Sequence, residues 1–93
     1  MGSVALRSIT ISNGYRKSEE LFYKNHRLKE LKVVYDDGYS ELLELDDGFS
    51  NSVQTFDLNA NHKTKTVKLY IEDVYTGSRY DDTAIDEINI ELE

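Results

Sequence analysis

Along the chain, short stretches of alternating apolar and polar residues are separated by polar, glycine-bearing turns, and alternation at period two predicts strands. The first stretch, VALRSITIS (4–12), places Ala5, Ile9 and Ile11 on one face, with Arg7 as the exception, and Asn13-Gly14 ends it. In LKELKVVY (28–35), Leu31, Val33 and Tyr35 alternate against Glu30, Lys32 and Val34. Asp36-Asp37-Gly38 then suits a tight hairpin turn into YSELLEL (39–45), with Leu43 and Leu45 on one side. A short strand, SVQTFDL (52–58), and a polar turn, NANHKT (59–64), lead into TVKLYIEDVY (66–75), where Val67, Leu69, Ile71 and Tyr75 share a face. In the last segment Ile88, Ile90 and Leu92 share a face and Ile85 falls on the other, a change of phase that predicts a bulge near Asp86 and Glu87.

One segment fits two patterns. SEELFYKNHRLKELK (18–32) offers Ser18 as a helix N-cap, with Leu21, Leu28 and Leu31 at helical spacing. The Asn25-His26 pair and the clean alternation from 29 to 35 favour an irregular loop followed by a strand. If successive strands run up and down, the loops at 13–27, 47–52 and 76–84 meet at one end, and the turns at 36–38 and 59–65 at the other.

Composition narrows the class. Ninety-three residues with 39% apolar content, no Trp and seven Tyr make one small core built of strand-favouring residues. The net charge of -7 repels phosphate backbones and anionic lipid surfaces, so neither nucleic acid nor a membrane surface is an expected partner. No apolar run approaches the ~18 residues of a membrane span. Cysteine is absent, which removes disulfides, thiolate metal sites and a cysteine nucleophile. The opening MGS reads as a vector-derived scar, leaving residues 4–93 as a single β-sandwich domain.

NGYRKS (13–18), NHRLKEL (25–31), YDDG (35–38), LLELDD (42–47), QTFDL (54–58) and VKLYIEDVYTGSRYDDTAIDEI (67–88) follow one another in an order and spacing that resembles a discoidin-like, galactose-binding-like jelly roll, the NADase-type glycan-binding domain. The resemblance spans the chain from Ile9 onward, and the last block is its most specific part. It implies an all-β antiparallel sandwich, an accessory domain of larger bacterial proteins, extracellular or at the cell surface, with carbohydrate as ligand. The family's opening strands have no counterpart before Val4. Six strands alone leave an edge unpaired and part of an inner face uncovered, so a homo-oligomer or a strand-completing partner segment is expected.

The loops expected at the first end carry the candidate ligand-binding residues Tyr15, Arg16, Lys17, Arg27, Arg79, Tyr80, Asp81 and Asp82. A guanidinium holds vicinal hydroxyls or a carboxylate in two parallel hydrogen bonds, and tyrosine presents a flat apolar face with a polar tip. The same residues suit a loop network that only holds itself together, Arg16 or Arg27 paired with Asp81 or Asp82, and YDDT (80–83) suits an Asx-type turn into the last strand. No cofactor is implied. Calcium would find its best place in the Asp46–Asn51 loop, yet the EF-hand order of acids and glycine is absent. His26 and His62 fall at opposite ends, which separates them as metal ligands. Without a nucleophile elbow, phosphate loop or zinc-protease motif, the sequence reads as a non-catalytic binding module, with a structural or protein-interaction domain as the rival.

Overall fold

The computed structural model describes residues 3–59, 61–79 and 83–93. Among these, six strands carry the fold: β1 (Leu6–Asn13), β2 (His26–Tyr35), β3 (Ser40–Glu44), β4 (Val53–Asp57), β5 (Val67–Tyr75) and β6 (Thr83–Leu92). One short helix, α1 (Glu19–Lys24), and a 3-10 turn at Phe49–Asn51 interrupt them. β1 lies antiparallel between β4 and β6, and β2 lies antiparallel between β3 and β5. The two halves join where β2 and β6 begin side by side, His26 beside Thr83 and Arg27 beside Ala84, in a parallel contact. The all-β class is as the alternation predicts. The antiparallel sandwich, however, is one mixed sheet, β3-β2-β6-β1-β4 with β5 on the other edge of β2, curled around a core shared by both halves.

That core is built from the strands with strict alternation. Ile9 and Ile11 of β1 meet Leu28, Leu31 and Val33 of β2, all of them buried, and Tyr35, Leu43, Leu45 and Leu58 complete the cluster. Each such side chain removed from water contributes about 1.5–3 kcal/mol, so these few residues dominate the favourable side of folding. Tyr35 keeps its hydroxyl satisfied by donating to Glu41 Oε2 at 2.6 Å.

Three phase changes set which residues point inward. The register shifts between Leu6 and Ser8, so Leu6 is buried rather than Ala5, and Arg7 turns outward toward Glu91. A second shift, between Ser12 and Asn13, sets Glu87 and Ile85 opposite neighbouring residues and makes Asp86 the extra one, where the change of phase predicts it. The third overturns an expectation. Irregularities around Lys29 and Glu72 put Val74 opposite Leu28, and Tyr75 leaves the face of Val67, Leu69 and Ile71 to stand opposite Arg27.

Residues 19–24 form a helix, not the irregular loop that the pattern favours. Ser18 caps it, its Oγ accepting from the Leu21 N–H at 3.2 Å, and Lys24 Nζ reaches Glu20 Oε1 at 2.8 Å one turn away. Six residues cannot hold a helix by propensity, and burial of Phe22 anchors this one. Leu28 and Leu31, which fit helical spacing on paper, belong to β2. Gly14, at φ +80°, lies against the Phe22 ring so closely that a Cβ there would collide with it.

Asn13 is the last residue of β1, and its buried side chain does a backbone's work. Nδ2 donates to the Leu28 carbonyl at 2.8 Å while Oδ1 accepts from the Leu28 N–H at 2.9 Å. Leu28 lies between the stretch of β2 paired with β3 and the stretch paired with β6, so the amide side chain fills the gap in the ladder.

Two strands, β5 at an edge and β6 inside the sheet, carry uncovered apolar faces. Among the described residues β5 bonds to β2 alone. Leu69 and Ile71 stand opposite the buried Val33 and Leu31, yet Ile71 is 50% exposed. On β6, Ile90 and Leu92 continue the inward face beside Ile9 and Leu6, and Leu92 is 54% exposed. The edge and open inner face expected of six strands are both present.

Replacing Asn13 with Ala leaves both polar groups of Leu28 buried without partners. The expected loss is about 2–4 kcal/mol in urea unfolding. A loss under ~0.5 kcal/mol would show that the stitch contributes nothing beyond packing.

Candidate functional site

At one end of the sheet the loops meet as alternating strand direction requires. Gly14 N–H donates to the Ala84 carbonyl at 3.0 Å, Asn13 N–H to the Ser52 carbonyl at 2.7 Å, and Ser78 N–H to the Tyr23 carbonyl at 3.0 Å. Arg79 N–H bonds to the Lys24 carbonyl at 3.1 Å, and Gly77 N–H to His26 Nδ1 at 2.7 Å. Gly77 lies directly on the Asn25 backbone, a position with no room for a Cβ. Helix α1 is therefore held from both sides, by the loop after β5 and by the 3-10 turn, whose Phe49 N–H donates to the Tyr23 hydroxyl at 3.2 Å.

Arg27 is the centre of this rim. Its side chain is only 6% exposed and forms a two-pronged pair with Asp47, Nε to Oδ1 at 3.0 Å and Nη2 to Oδ2 at 2.8 Å. Nη1 donates to the Asn25 and Tyr23 carbonyls, and the guanidinium carbon lies 5.4 Å from the Phe22 ring centre and 5.2 Å from that of Tyr23. Arg27, expected among the ligand-binding groups, is thus buried, with its guanidinium bonded to the protein's own carboxylate and carbonyls. Among the described residues its carboxylate partner is Asp47. Asp47 Oδ1 also accepts from the Gly48 N–H, so the loop proposed for calcium turns its acid inward onto a cation. Among the described residues no group of three or more His, Asp or Glu is placed to hold a metal ion.

Tyr15, Arg16 and Lys17 project from this locked base and are all exposed. With Gly14 they form one wall of a groove of about 650 Å³, open to solvent, whose other wall is residues 83–86 at the start of β6. Arg16 lies over the Phe49 ring at 5.8 Å, and Asp86 is held by the Ser12 hydroxyl at 2.9 Å. Arg79 is exposed on the neighbouring loop. Tyr80, Asp81 and Asp82 lie outside the described residues. The structure thus brings together the stretches that carry Tyr15, Arg16, Lys17 and Arg79. It adds Phe22, Tyr23, Phe49 and the wall of residues 83–86; of these only Phe22 and Tyr23 carry a local signal, two adjacent aromatics just ahead of NHR (25–27).

The opposite rim is a separate cluster. The His62 ring stacks on Tyr39 with centroids 4.1 Å apart, and its Nε2 lies 2.7 Å from Asp37 Oδ2. The Tyr39 N–H bonded to Asp37, more than the neighbouring His62, holds this carboxyl below its ordinary value of 3.8. Burial, then the bond to Glu41, pushes the Tyr35 hydroxyl well above the usual phenol range.

The model of the NAD glycohydrolase translocation F5/8 type C domain matches residues 2–91. The chain belongs to this family. A translocation domain of this kind is discoidin-like, in keeping with the curled all-β sheet. The NMR structure of the Streptococcus pyogenes NAD+-glycohydrolase translocation domain is similar with a TM-score of 0.70 and 20% identity, over 96% of this chain and 78% of that one. At that identity the likeness speaks for the fold. No curated protein matches.

Two measurements check the electrostatics of the rims. A double-mutant cycle on Arg27→Ala and Asp47→Ala is expected to give a coupling above ~1 kcal/mol, as for a largely desolvated pair; under ~0.3 kcal/mol it would be an ordinary surface contact. At the other end, a carboxyl whose folded-state value is lowered adds stability above its unfolded value and loses it as pH falls through the folded one. Asp37→Asn should therefore lower stability near neutrality slightly and flatten its decline on the acid side of 3.8, read by thermal melts across that range.

Proposed function

We propose that this chain is a non-catalytic accessory module that assists translocation of a larger protein by gripping a partner protein along the groove beside Tyr15, Arg16 and Lys17. One observation carries the reading: the rim's buried polar groups bond to one another, while these three side chains stand exposed on a wide, open groove. An open groove suits an extended segment better than a small substrate needing enclosure. Two adjacent cations in a chain of net charge -7 favour an acidic segment. The family's description as a translocation domain supports the same direction.

A carbohydrate is the second reading, and Tyr15 favours it. The residue is 41% exposed and next in sequence to the Arg16 donor fork, a pairing that suits a sugar's apolar face and vicinal hydroxyls. Arg79, exposed on the loop that precedes the groove's second wall, extends either surface.

The test carries a photo-crosslinking side chain at Lys17. Offered to acidic-protein fractions and, in parallel, to a glycan array, the chain is expected to form a defined protein adduct that Tyr15→Ala with Arg16→Glu abolishes, and to retain no sugar. Saturable sugar retention lost in the same double variant would replace the protein reading with the glycan one.

A further inference from the structure

The outer edge of β5 combines three features: a backbone with no strand partner among the described residues, an inward face that continues the core, and a charge pattern that is complementary to itself. Leu69 and Ile71 extend the apolar face that Leu31 and Val33 begin, and both are exposed. On the outer face Lys68 and Tyr70 are exposed, and Glu72 lines a shallow groove there with Lys32 and Leu42. Edge strands are blunted by proline, inward-pointing charge, lysine, a bulge or a covering loop, and of these β5 carries an outward lysine, Lys68, and the irregularity at Glu72. β5 has no proline, and from 67 to 71 its inward positions are Val67, Leu69 and Ile71.

We infer that β5 pairs with β5 of a second copy, antiparallel and centred on Tyr70, to join the β3-β2-β5 halves into one continuous six-stranded sheet. The register follows from side-chain chemistry. Centring on Tyr70 sets Lys68 of each strand opposite Glu72 of the other, and Leu69 opposite Ile71. It keeps both apolar faces on the same side of the joined sheet. Moving the centre to Ile71 sets Tyr70 against Glu72 and Leu69 against Asp73; moving it to Leu69 sets Lys68 against Tyr70. Only the Tyr70 centre matches charge with charge and apolar with apolar across the middle pairs. Two chains of net charge -7 repel at long range, and the two Lys68–Glu72 pairs offset that repulsion at the contact. Such a two-fold contact is self-complementary and closes at the dimer. It is independent of the loop rim, because β5's free edge contributes nothing to the groove at Tyr15–Lys17.

Sedimentation equilibrium of the chain over a wide concentration range should show the weight-average mass rising about twofold. Lys68→Glu and Glu72→Lys each place like charges opposite one another twice and should weaken the dimer on the order of tenfold. The combined swap restores the pairing and should restore the dimer, while Ile71→Lys abolishes it. These positions are exposed, so unchanged thermal melts separate lost association from lost folding. A chain that stays monomeric throughout, or a dimer that the swap fails to restore or that Ile71→Lys leaves intact, overturns the inference.

Discussion

The end of β1 reaches the beginning of β2 through a single carboxamide, and the geometry of the whole rim depends on that contact. Among the described residues, strand pairing between the halves amounts to two residue pairs, His26 with Thr83 and Arg27 with Ala84, besides the isolated bridge between Val4 and Thr64. Beside them Asn13 supplies from its side chain the donor and acceptor that a neighbouring strand would have given Leu28. Neutral hydrogen bonds contribute modestly when made but cost heavily when a buried partner is orphaned, so this residue sets the spacing of the halves more by what its loss exposes than by net attraction. Gly14 then has to turn at once, under the Phe22 ring, and the chain departs toward α1 from a fixed point.

Arg27 solves a different problem. A buried cation is expensive unless paired and fully hydrogen-bonded, and here the carboxylate of Asp47, two carbonyls and two aromatic faces surround it. These partners come from α1, its C-terminal junction and the loop after β3, so one planar group aligns three segments that have no strand pairing with each other. Above this paired base Tyr15, Arg16 and Lys17 stand exposed, Arg16 resting over the Phe49 ring.

Strand existence and the up-down arrangement of loops were legible in the sequence because period-two alternation in 28–35 and 39–45 reflects one buried face. The bulge at Asp86 was legible for the same reason, since Ile85 and Ile88 cannot share a face without an extra residue. Ala5 and Tyr75 were misplaced because a bulge at Arg7 and the irregularities near Glu72 shift phase where no apolar neighbour marks the shift. The helix at 19–24 was too short to display a period, and its anchor, Phe22, is buried by tertiary contacts alone. The burial of Arg27 was not legible, because charge is visible in a sequence and burial is not. Asn13, ahead of a glycine, reads as turn chemistry, and nothing local announces a bond to a residue fifteen positions on.

Chain order adds one more consequence. The strand that flanks β1 on one side comes from residues 83–92, while the β2–β3 hairpin joins neighbours across a few residues. During synthesis the hairpin can assemble early, whereas the half around β1 waits for the last strand to emerge and must close a loop of some seventy residues to capture it. Until that moment Ile9 and Ile11 have no finished shelter, which makes the nascent chain the stage most exposed to aggregation.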